Sequence, residues 1–167
     1  QRLPEDIRIQ SSMEVEPDWH PRKHHCIKTY EYKILNRKME VPSLRLYTHF
    51  CHFDLDLDQM RQAAKLLTGE HDYKSFCNVR TQVLDTVRIV YSIDIEKDSN
   101  DVITIRVRGN GFLYNMVRIL AGTLMAVGMG QRKPEEMPDI LAACDRAAAG
   151  PTAPAKGLML VGMEYQD

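Results

Sequence analysis

Residues 86–96, Thr-Val-Arg-Ile-Val-Tyr-Ser-Ile-Asp-Ile-Glu, put an apolar side chain at every second position: Val87, Ile89, Tyr91, Ile93 and Ile95. Such alternation predicts a strand with one buried and one wet face. Lys97-Asp98-Ser99-Asn100-Asp101 follows as a turn, and Ile103, Ile105 and Val107 carry the alternation back. A hairpin with one wet face favours an antiparallel sheet. Residues 28–34 repeat the pattern, with Tyr30, Tyr32 and Ile34 facing one way and Thr29, Glu31 and Lys33 the other. Leu158, Leu160 and Val161 through Met163 predict a closing strand.

Between these strands the apolar period changes. Leu57, Met60, Ala64 and Leu67 recur at helical spacing, with Asp56 at the N-cap, Gln59 completing a capping-box pattern and Gly69 closing the helix. Leu113, Met116/Val117, Leu120, Leu124 and Val127 predict an amphipathic helix ended by Gly128 and Gly130. An alanine-rich stretch over 134–149, opened by Pro134, predicts another. The expected class is α+β: an antiparallel sheet with two to three helices packed on one face. Pro4, Pro17 and Pro21 interrupt residues 1–25, where Ile7 and Ile9 suggest a short strand before a linker. Residues 26–167 are expected to form the single domain.

A formal net charge of −1, with 44% apolar and 27% charged residues, gives no global sign of a nucleic-acid binder. Arg80, Arg88, Arg106, Arg108 and Arg118 nevertheless gather in the middle third, where the plain reading is solvated strand faces. Cys26, Cys51, Cys77 and Cys144 are widely spaced, as in a reduced cytoplasmic protein with incidental thiols. His24 and His25, adjacent on a strand, would point to opposite faces, so no metal site is expected there. No apolar run approaches the roughly 18 residues of a membrane span. A chain beginning Gln1-Arg2-Leu3-Pro4 reads as cut from a longer protein, without a signal peptide.

Gly109-Asn110-Gly111-Phe112-Leu113-Tyr114-Asn115-Met116-Val117-Arg118 joins a strand to a helix through two glycines. Such junctions are where clefts form. Periodicity alone assigns Tyr30 to core packing, Leu158 to a core strand, and Arg118 to the border of an apolar helix face, solvated or paired.

The 109–118 run resembles the signature of the tRNA pseudouridine synthase A family. Further matches occur in order: Leu3-Pro4-Glu5-Asp6-Ile7, Trp19-His20-Pro21-Arg22, Lys28-Thr29-Tyr30-Glu31-Tyr32, Gly69 through Phe76, Gly122, Asp145-Arg146 and Gly157 through Val161. Pro21 stands where that family has an alanine, His24-His25-Cys26 where small residues are usual, and Met159 where an aromatic is frequent.

The resemblance implies that Tyr30 stacks on the target base, with its hydroxyl a candidate for handling the C5 proton. It implies that Arg118 pairs with the catalytic aspartate and that Leu158 packs under the base. Arg22, Lys28, Arg106, Arg108 and Phe112 become candidate RNA contacts. The family's nucleophilic aspartate lies in a Gly-Arg-Thr-Asp-Ala-Gly segment, and no such segment occurs in these 167 residues. The chain is therefore expected to be the C-terminal half of the cleft, inactive alone. The intact enzyme is expected to need no cofactor, to modify uridines 38–40 in the tRNA anticodon arm and to work as a homodimer. A non-catalytic RNA-binding module using Arg106, Arg108 and a stacking tyrosine is the rival reading, and an ordinary packing domain the third.

Overall fold

The computed structural model describes residues 2–21, 24–79 and 83–165. Six strands form one mixed sheet ordered β2-β1-β5-β4-β3, with β6 also paired to β1. They are β1 (Cys26–Asn36), β2 (His49–Cys51), β3 (Gly69–Asp72), β4 (Val87–Lys97), β5 (Val102–Gly109) and β6 (Leu158–Tyr165). Helices α1 (Leu57–Leu66), α2 (Met116–Gly128) and α3 (Met137–Ala142) complete the α+β fold. The pairing is antiparallel except where β1 meets β2, Ile34 opposite His49, in parallel.

The expected β1 alternation holds: Tyr32 and Ile34 are fully buried, and Tyr30 packs against the same core. In β5, Ile103, Ile105 and Val107 are buried with them. Asp98 closes the β4–β5 hairpin by accepting from the backbone N–H groups of Asn100 and Val102. In β4 the expected alternation holds at Ile93 and Ile95 and fails before them, where Val87 is exposed. A bulge between Val90 and Ser92 shifts the register, so Val90 is 0% exposed while Tyr91 is 46% exposed. One extra residue turns the following side chains to the other face, and strict period 2 cannot foresee it.

Asp56 caps α1, its Oδ1 accepting from the backbone of Asp58 and Gln59 at 3.0 Å each. Gly69 lies two residues beyond the Leu67 cap and opens β3 at φ 110°. Helix α2 begins at Met116, three residues later than the periodicity predicts. It is buried on almost every side, Arg118 excepted. It is therefore a central helix between the sheet and other segments, not an amphipathic surface one.

The expected 134–149 helix is cut to Met137–Ala142, because Cys144 adopts a left-handed φ of 46° and Asp145 caps a separate turn at Arg146–Ala148. The short strand expected near Ile7 and Ile9 is absent from the described residues, and both isoleucines are exposed. An isolated strand without a partner has no ladder to hold it. Arg22 and Arg80 lie outside the described residues.

Candidate active site

The 109–118 junction closes one end of a concavity of about 300 Å³. Its lining includes Tyr30, Phe112, Tyr114, Asn115, Val117 and Leu158. Tyr30 comes from β1, Leu158 from the start of β6, and the remainder from the loop into α2. Register brings the first two together: Leu158 lies opposite Tyr32 and Leu160 opposite Tyr30, so all four share the helix-side face. The Phe112 ring meets Tyr30 edge to face, with centroids 5.3 Å apart at 88°. Phe112 thus braces the Tyr30 ring from the side, a geometry favoured by the aromatic quadrupole.

Arg118, the third residue of α2, is not among the residues lining this concavity, although its neighbours Asn115 and Val117 are. Its Nε donates to the Ala153 carbonyl at 2.7 Å and its Nη1 to Asn115 Oδ1 at 3.1 Å. The expected solvated border arginine is instead half-buried and bound to two neutral oxygens. Among the described residues, no carboxylate lies within ion-pair distance of it. Its charge is felt by Tyr32. Burial pushes that hydroxyl far above the usual tyrosine range and Arg118 draws it partly back, while the O–H donates to the Pro154 carbonyl at 2.8 Å.

Of the candidate RNA contacts, Phe112 lines the concavity, and the two strand arginines do not. Lys28 shares the Tyr30 face, opposite Gly109. Arg106 and Arg108 lie on the far face, where strand alternation sends them with Glu31 and Thr29. Both are paired: Arg106 donates to Glu31 Oε1 from Nε and Nη2 at 3.1 and 2.8 Å, and Arg108 to Glu164 Oε2 at 2.7 Å. Burial pushes the Glu31 carboxyl up, and the bonds from Arg106 and Lys33 outweigh it, leaving it below the usual carboxylate range.

Asn115, Tyr114 and Ala153 are site residues that periodicity passes over. Asn115 stands at φ 63°, ψ 8°, and Tyr114 is 64% exposed at the rim. Asparagine tolerates left-handed backbone better than most residues, so its place before Met-Val is the one local signal available.

The wall therefore offers an aromatic face and an apolar partner, and one lining residue, Asn115, bonds the Arg118 guanidinium. A flipped pyrimidine could be held between ring and leucine, and the arginine could meet an anion. A family model described as tRNA pseudouridine synthase matches residues 63–166. The tRNA pseudouridine synthase A of Brevibacillus brevis is 48% identical over 164 residues, covering 98% of this chain and 67% of its own length. That of Bacillus pumilus is 46% identical over 167 residues, covering 99% and 66%. The tRNA pseudouridine synthase A 2 of Clostridium tetani is 47% identical over 163 residues, covering 98% and 65%. The chain belongs to the tRNA pseudouridine synthase family, and it spans about two thirds of the length of these relatives. No helix among the described residues is long and apolar enough to cross a membrane.

Proposed function

We propose that this chain is the C-terminal, cleft-bearing part of a tRNA pseudouridine synthase that isomerises uridine in the anticodon arm, at positions 38–40. The observation that carries the reading is the meeting of Tyr30 and Leu158 in one concavity at the start of the helix bearing Arg118. Isomerisation breaks the glycosidic bond, turns the base and re-bonds it through carbon. The base must first leave its stack and be gripped, which Tyr30 and Leu158 suit. A carboxylate in a dry cleft needs an opposite charge to stay ionised, which Arg118 suits.

The nucleophilic aspartate belongs to the part of the enzyme outside these 167 residues, so this chain alone is inactive. No cofactor is needed for that chemistry. The whole enzyme acts in the cytoplasm as a homodimer. The rival module reading loses support from the pairing of Arg106 and Arg108 with Glu31 and Glu164. Incubating the chain with an unmodified tRNA transcript and analysing its nucleosides tests the proposal. No pseudouridine is expected, and measurable turnover would overturn the division of the site. The same assay on the complete gene product should place pseudouridine at positions 38–40.

A further inference from the structure

Asn115 immediately precedes α2, yet its side chain makes no cap hydrogen bond to that helix. An asparagine in this position ordinarily has extended backbone, and its side-chain oxygen accepts from the second or third amide of the helix. Here the backbone is left-handed, at φ 63° and ψ 8°, and Oδ1 accepts from Arg118 Nη1 at 3.1 Å. The residue has given its acceptor to the arginine three positions on and adopts a backbone that side chains disfavour. The same side chain lines the concavity with Tyr30 and Leu158.

We infer that Asn115, which lines the concavity, is a positioning residue, holding the Arg118 guanidinium in one plane so that its uncommitted Nη2 edge is left for an anionic group, carboxylate or phosphate. Ala153 takes Nε from the other side, so the planar fork is held at two points. Both acceptors are uncharged, which leaves the full positive charge available to an incoming anion. Among the described residues nothing bonds Nη2. The inference rests on the reading of this concavity as the reaction cleft.

Nitrogen-15 NMR of the Arg118 side chain in the 167-residue protein tests it, in wild type and in Asn115→Gly, Asn115→Ala and Asn115→Asp. Glycine accepts positive φ without strain, so Asn115→Gly removes the side-chain bond while keeping the turn. Wild type and Asn115→Asp should show distinct, slowly exchanging Nη signals. Asn115→Gly should remain folded, with a wild-type backbone amide spectrum away from the turn, but rotate about the Nε–Cζ bond about tenfold faster, as loss of one bond to a charged group requires. Asn115→Ala should lose the restriction too. Unchanged rotation in Asn115→Gly, or Asn115→Asp behaving as the alanine variant, would overturn the inference. None of these readouts requires turnover, so an inactive complete enzyme would sink the functional reading and leave this test intact.

Discussion

Arg118 and Ala153 hold each other by two hydrogen bonds: the Ala153 N–H donates to the Arg118 carbonyl at 3.0 Å, and Arg118 Nε donates to the Ala153 carbonyl at 2.7 Å. The pair lashes the segment before β6 across the first turns of α2. Its consequence is that Arg118 is a structural residue of this fold. The Leu158 wall reaches Tyr30 because residues 150–154 are fastened to α2, where Gly150 N also donates to Thr123 Oγ1.

Arg118→Ala should therefore destabilise the chain by about 1–3 kcal/mol, the usual consequence of losing a hydrogen bond from a charged donor and leaving a buried carbonyl unpaired. Ala153 is only 4% exposed, so water cannot readily replace the guanidinium. Urea titration of both proteins checks it. A loss under about 0.5 kcal/mol, typical of surface positions, would mean the Ala153 contact contributes nothing.

Gly122 faces the same segment. A Cβ built there would lie 1.9 Å from the Pro151 carbonyl oxygen, and backbone cannot swing aside as a flexible side chain can. Gly122→Ala should cost about 3 kcal/mol or more through overpacking. It should also release the Arg118–Ala153 pair, read as faster hydrogen exchange at the Ala153 amide.

The bulge in β4 makes a paired prediction. Val90→Ala, at a fully buried site, should cost about 2 kcal/mol. Tyr91→Ser, on the exposed neighbour, should stay within about 0.5 kcal/mol. If Tyr91 proved the costlier of the two by thermal unfolding, the unshifted alternation would be correct.

Acid should weaken the fold through two carboxylates. The bond from the Thr86 hydroxyl, with others from Lys74 and Cys144, holds Asp72 below its ordinary 3.8 despite burial. Glu31 is held below its ordinary 4.5 by Arg106 and Lys33, against its own burial. A lowered folded pKa means stability present above the ordinary value and lost as pH falls through the folded one. Urea midpoints measured from neutral pH downward should fall below about pH 4.5, and the fall should be shallower in Glu31→Gln and Asp72→Asn. An unchanged acid limb in both variants would exclude these groups.

In the complete enzyme, Tyr30→Ala should slow pseudouridine formation by about 10–100-fold, since stacking on an aromatic contributes about 1–3 kcal/mol per base and Phe112 would lose its partner. Tyr30→Phe decides the hydroxyl's role. Loss of pseudouridine formation with tRNA binding retained marks Tyr30 as a proton carrier, whereas near-normal turnover leaves it a stacking surface.

Much of the architecture is legible in the sequence. Tyr30-Tyr32-Ile34 and Ile103-Ile105-Val107 announce strands because side chains alternate faces within each strand, whatever lies beside it. Asp56 announces the start of α1 because its bonds reach only two and three residues along the chain. The 109–118 motif announced the cleft junction, and the resemblance led to Tyr30 and Leu158, which register then set on one face. What the tertiary structure alone decided involves distant partners. The Val90 bulge depends on how β4 lies against β5. The parallel β2 pairing depends on Ile34 finding His49. The stop of α3 at Ala142 overrides alanines that would extend a free helix. The far-face pairing of Arg106 joins it to Glu31, 75 residues away. Arg118 reads as a surface residue until Ala153, 35 residues on, is brought against it. Local periodicity reports which face a side chain wants, while the partner waiting on that face is chosen by the folded chain.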